Sequence, residues 1–124
     1  MDKLIIEATD DTPKIILDPE KNLYEFSGRS MPEDAAEFYL PIIQWLKTYK
    51  ESGFKSIILD FRMEYFNTAS SKMIWDILHT LQGFIDDGMK VNVRWFYYKD
   101  DLEMEDAAND YSEMFSLPIE KIIL

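Results

Sequence analysis

Hydrophobic residues recur along this chain with two different periods, and the switches between them mark its elements. "LIIEAT", "KIILD" and "LYEFSGR" are short β-branched or aromatic runs, separated by the turn-rich "DDTP" and "PEKN". They predict three strands joined as an antiparallel meander. Ser30, just ahead of "MPEDAAEFYLPIIQWLKTYKESG", predicts a helix start, with Pro32 and two acids in the first turn and Gly53 as the stop. Pro41 lies inside that pattern and predicts a kink or a break. "KSIILDFRMEYF" then reads as a central strand with Ile57, Leu59, Phe61, Met63 and Tyr65 on one face.

From Ala69 to about Asp87 the period lengthens. Met73, Ile77, Leu81 and Phe84 form a helical stripe flanked by Ile74, Leu78 and Ile85, and Gly88 ends it. "KVNVRWFYY" predicts another strand, "DDLEMEDAANDYSEMF" a third helix and "PIEKIIL" a closing strand. Strands alternating with helices after an N-terminal hairpin predict an α/β fold. Its mixed sheet should carry antiparallel strands from the N-terminus and about three helices packed mainly on one face. A length of 124 residues, without repeats or a Pro/Gly/Ser linker, predicts a single domain over residues 1–124.

Composition narrows the function. There is no cysteine, which rules out disulfides, thiolate metal sites and thiol nucleophiles and suits a reducing cytoplasm. The opening "MDKLIIEATDD" lacks the basic and apolar regions of a signal peptide, and no apolar run approaches the ~20 residues that cross a bilayer. With 24 Asp+Glu against 13 Lys+Arg, the formal charge is −11. Such a surface repels phosphate backbones and anionic lipid, so neither nucleic acid nor membrane is an expected partner, and a basic docking face fits better. The acids of "DDLEMED" lack the central Gly of a calcium loop and read as a solvated helix start. No Gly-rich phosphate loop, metal-ligand spacing or nucleophile triad is present, and no cofactor or metal is expected.

The densest chemistry lies in "NTASS", residues 67–71. One reading is a helix cap, with Asn67 or Thr68 covering the N–H groups of Ser70 and Ser71. The other uses the same geometry as an anion site, since a helix N-terminus offers unpaired donors and the positive end of its dipole. A phosphate on Thr68 would add about −1.5 to −2 charges there, with Lys72 one turn on.

The order of elements around "IILDFRMEYFNTASSKMIWDIL" resembles a STAS domain, the fold of anti-sigma-factor antagonists, in which a Ser or Thr at this helix start is switched by phosphorylation. More closely, the chain is similar over essentially its whole length to the SiaC family of bacterial regulatory phosphoproteins. The matching pattern runs Tyr65-Phe66, Asn67-Thr68, Ala69-Ser70, Ser71 and Lys72, followed by Asp76, with "DTPKI" near the start and "VNVRWFY" in the late strand. The resemblance implies that Thr68 is the phosphoacceptor. It also implies a Ser/Thr kinase and a metal-dependent PP2C-type phosphatase as modifiers, and a diguanylate cyclase as the effector bound by the unphosphorylated form. The lack of a Gly just after the acceptor departs from ordinary anti-sigma-factor antagonists.

Around Thr68, Asn67 is expected to shape the corner, Ser70 and Ser71 to supply N–H groups and Lys72 to supply countercharge, with Ala69 among the surrounding residues. Trp75 and His79, opposite the helical stripe, and Asp76 are candidate partner-binding residues, since an aromatic on the polar face of a helix can anchor an interface. Arg62, between Asp60 and Glu64, is a further candidate for partner or phosphate binding. The reading that results is a cytoplasmic, non-enzymatic regulator that works by partner binding. A constitutive scaffold using the Trp75 face is the alternative, and a hydrolase based on Asp60 or Glu64 a remote third.

Overall fold

The computed structural model describes residues 1–124. The elements are β1 (Leu4–Ile6), β2 (Lys14–Asp18), β3 (Leu23–Ser30), α1 (Ala35–Glu51), β4 (Ser56–Phe66), α2 (Thr68–Asp86), β5 (Lys90–Tyr97), α3 (Leu102–Met114) and β6 (Ile119–Ile123). All six strands form one sheet whose spatial order is the order of the sequence. β1, β2 and β3 pair antiparallel, and β3 to β6 pair parallel, as the meander followed by alternating elements predicts.

That monotonic order decides where the helices go. Each parallel step crosses over through one helix, and each step moves the same way across the sheet. Crossovers share one hand, so three steps in one direction stack three helices on one face. The core lies between: Ile15, Leu17, Phe26, Leu59, Phe61, Val93 and Trp95 point under the helices and are fully or almost fully buried. Trp95 packs against Phe61, Phe66 and Tyr111, and its indole N–H donates to the Met104 carbonyl.

Three local expectations need correction. Ser30 does not start α1; it is the buried last residue of β3, and the cap is Asp34, whose carboxylate accepts from Glu37 N–H at 3.0 Å. Pro41 neither breaks nor splits α1, which runs unbroken through it. The proline only removes the donor that Glu37 O would have used, on a side of the helix open to solvent. Tyr65 does not share the inward face with Met63. A register shift between Gly28 and Arg29 pairs those two with Met63 and Tyr65, skipping Glu64. The extra residue turns Tyr65 outward, beneath the Arg29 guanidinium, and Phe66 inward onto Trp95.

The sheet's other face is bare and its charges cancel locally. Asp60 accepts two hydrogen bonds from Arg94, at 2.6 and 2.7 Å. Arg62 Nε lies 2.9 Å from Glu25 Oε1, although its N–H is not aimed at that oxygen, and the guanidinium covers Phe96 at 3.7 Å. Asp60 and Arg62 are therefore held by partners on neighbouring strands, while Glu64 is exposed at the skipped position of the register.

Burial pushes the Tyr39 phenol up to about 12, partly offset by its bond to Ser30, and burial raises Tyr49 and Tyr111 as well. Unfolded tyrosines ionise near pH 10, so stability is complete below about 10 and is lost as pH climbs through the folded values. For Tyr39 the loss is roughly 1.4 kcal/mol per pH unit above 10. Thermal melts should show a Tm that is flat to about pH 10 and then falls, less steeply in Tyr39→Phe.

Candidate functional site

The site is built where β3 and β4 end together. Parallel pairing brings Ser30 opposite Phe66 at the C-terminal end of the two central strands, and the chain turns into α2 at the next residue. Asn67 makes the turn in extended conformation, and its N–H donates to Ser30 O at 3.1 Å. The Asn67 side chain then caps α2 by accepting from Ser70 N–H at 2.8 Å, while its carbonyl accepts from Ser71 N–H at 2.9 Å. The cap is thus Asn67, not Thr68. It consumes the N–H groups of Ser70 and Ser71, which were expected to serve an anion. The first-turn donors without an acceptor inside the helix are those of Thr68 and Ala69.

The three hydroxyls of "NTASS" have different fates. Ser70 is fully buried; its Oγ donates to Ser30 O at 3.1 Å and accepts from Ser30 Oγ at 2.8 Å. Ser30 Oγ is also 2.6 Å from the Tyr39 hydroxyl, so a closed polar cluster ties α2 to β3 and α1. Ser71 Oγ donates back to the Thr68 carbonyl at 2.7 Å, and the Ser71 carbonyl accepts from Tyr111 on α3 at 2.8 Å. Only Thr68, the first residue of α2, is exposed with a hydroxyl that makes no hydrogen bond within the chain.

Two grooves flank the start of α2. The larger, about 1,380 Å³, runs between α1 and α2; Thr68, Ala69, Lys72 and Met73 form one wall, and Glu33, Asp34, Glu37 and Pro41 the other. The smaller, about 440 Å³, runs between α2 and α3 and is lined by Phe66, Ser71, Lys72, Trp75, Asp76, Tyr111 and Met114 among others. Lys72 borders both, and no carboxylate lies close enough to pair with it. Trp75, 37% exposed, stacks on His79 at 4.9 Å and leans on Phe115 at 5.4 Å. Trp75, Asp76 and His79 therefore do share one surface. Arg62 does not belong to it: it sits on the bare sheet face, held over Phe96 and beside Glu25, turned away from α2.

Sequence reasoning missed the Ser30–Tyr39–Ser70 cluster and the acidic wall facing Thr68. Ser70 is 40 positions from Ser30, and the carboxylates of the α1 wall are about 30 to 35 from Thr68, which local pattern cannot connect. Gln82 also has a role that spacing hid. Its Oε1 accepts from the N–H groups of Ser116 and Leu117, at 2.9 Å each, and clamps the segment after α3.

These roles separate in stability measurements. Asn67→Ala should cost about 1 kcal/mol by urea unfolding. Ser70→Ala should cost about 1–3 kcal/mol, because Ser30 loses a buried partner. Thr68→Ala should stay within about 0.5 kcal/mol of the parent.

Comparison with known proteins agrees with this geometry. The model of the SiaC family, described as regulatory phosphoproteins, matches residues 6–124. An uncharacterized protein of Pseudomonas aeruginosa strain UCBPP-PA14 is 31% identical over 118 residues, which is 95% of this chain and 94% of that one. The solved structure of SiaC of Pseudomonas aeruginosa is similar with a TM-score of 0.91 at 31% identity, covering 100% of both chains. A crystal structure of the diguanylate cyclase SiaD in complex with its activator SiaC, from the same organism, matches with a TM-score of 0.89 at 30% identity, over 95% of this chain and 97% of that one. No helix is long and apolar enough to cross a membrane. With the family model matched over residues 6–124 and the fold shared over the full length of a solved SiaC structure, this chain belongs to the SiaC family of regulatory phosphoproteins.

Proposed function

We propose that this chain is a non-enzymatic, cytoplasmic switch that binds and controls a diguanylate cyclase or similar signalling effector while Thr68 is unphosphorylated. A Ser/Thr kinase would add phosphate to Thr68, and a PP2C-type phosphatase would remove it. The observation that carries the reading is the contrast among hydroxyls: Ser70 is sealed in a buried cluster and Ser71 is bonded to its own helix, while Thr68 is exposed and unbonded. A phosphate there meets the free N–H groups of Thr68 and Ala69 and the unpaired Lys72.

The effector would dock on the α2 surface that carries Trp75, Asp76 and His79. That surface combines a stacked aromatic anchor with an apolar groove toward α3. The solved complex of SiaD with SiaC, a relative 30% identical to this chain, supports a cyclase as effector. Modification adds a dianion and bulk at the rim, and weakens docking through charge and lost fit. A constitutive scaffold built on the same Trp75–His79 stack is the second reading; it predicts no phosphate on protein isolated from the native host.

The test is binding of a diguanylate cyclase encoded in the same genome to purified variants. Thr68→Ala should bind like the parent, and Thr68→Asp or enzymatically phosphorylated protein should bind at least about tenfold more weakly. Equal affinity for both forms would remove the switch.

A further inference from the structure

We infer that the groove between α1 and α2 is the docking channel for the kinase that modifies Thr68, and that Glu33 and Glu37 select that kinase by gripping Lys or Arg side chains beside its active site. This rests on the reading of Thr68 as phosphoacceptor.

Access comes first. Thr68 lines the α1–α2 groove and is absent from the lining of the α2–α3 groove. Of the two grooves, the one between α1 and α2 therefore gives an enzyme carrying a nucleoside triphosphate a path to this hydroxyl. At about 1,380 Å³ the groove has room for a protein segment, whereas the groove under Trp75 is a third of that size.

Polarity comes second, because the two walls are opposites. The α2 wall carries donors: the N–H groups of Thr68 and Ala69 and the Lys72 ammonium. The α1 wall carries acceptors: the exposed carboxylates of Glu33, Asp34 and Glu37. Pro41, also on that wall, has no N–H to give to Glu37 O, so a backbone carbonyl is left without its helical donor in the same place. Phosphoryl groups suit the first wall, and the second calls for cationic donors. A kinase cleft with basic residues around its triphosphate carries both.

The chemistry requires that complement. Thr68 Oγ1 forms a bond to the γ-phosphorus of the triphosphate, and the bond from that phosphorus to the β,γ-bridging oxygen breaks. Nucleoside diphosphate leaves, and the hydroxyl proton passes to a base of the kinase. Anionic charge is thus delivered opposite three carboxylates. Basic side chains seated on Glu33 and Glu37 screen that repulsion during transfer. Asp34 is committed to capping α1, which leaves the other two as the selective pair.

The experiment expresses the full chain from its own locus in the native host and reads phosphate on Thr68 by intact mass and peptide mapping. Binding of the unphosphorylated proteins to the same-genome cyclase is measured in parallel. Glu33→Lys/Glu37→Lys should lower Thr68 occupancy at least about fivefold, with Glu33→Gln/Glu37→Gln intermediate. Cyclase binding should match the parent in both variants, with Tm lowered by no more than the few degrees that a charge reversal in the first turn of α1 costs. Parental occupancy in both variants overturns the channel and leaves the Thr68 reading standing. Raised occupancy assigns the groove to the phosphatase, and lost cyclase binding with phosphate retained assigns it to the effector; either overturns the proposal. A parent chain that carries no phosphate on Thr68 under any growth condition overturns both readings together.

Discussion

One carbonyl oxygen fixes the geometry of the corner between β4 and α2. Ser30 O accepts from the Asn67 backbone and from the Ser70 hydroxyl, so the end of β3 sets where α2 begins and how it is rotated. Residues two apart on an α-helix sit about 200° from each other around its axis. Holding Ser70 against Ser30 therefore turns Thr68 to the opposite side. The exposure of one hydroxyl and the burial of the other are a single fact about helical phase. Tyr39 extends the constraint to α1 through Ser30 Oγ, and Tyr111 extends it to α3 through the Ser71 carbonyl. All three helices thus bear on one corner.

Charge is distributed as unevenly as the hydroxyls. On the bare sheet face Asp60 meets Arg94, Glu25 lies beside Arg62 and Glu7 beside Lys14, so that face is close to neutral. The helices and connections carry the negative excess: α3 has Glu103, Glu105, Asp106, Asp110 and Glu113 and no basic residue. Beside Thr68 the acids are those of the α1 wall, Glu33, Asp34 and Glu37. A dianion added there would meet the Thr68 and Ala69 N–H groups and Lys72 on its own wall and those carboxylates across the groove.

Much of the architecture was legible because it is written in local periods. The stripe from Met73 to Phe84, the alternation from Ile57 to Met63 and the glycine stops at Gly53 and Gly88 all lie in their expected places. Errors arose where a distant partner overrode a local signal. Ser30 looked like a cap because Pro32 and two acids follow it; pairing with β4 keeps it in the sheet. Tyr65 broke the alternation because a neighbouring strand forces a bulge there. Arg62 looked available beside Thr68, but successive strand positions face opposite sides and the helices occupy only one. Asn67 and Thr68 were both legible as corner residues. Which of them caps, and which hydroxyl stays free, depended on Ser30, some forty residues upstream of Ser70.

Lys72 stands on the ridge of α2 with a trough on either hand. A single flexible ammonium cannot neutralise anions on both slopes at once. Whatever holds it on the α1 side removes it from the rim below Trp75, so the two flanks compete for one positive charge.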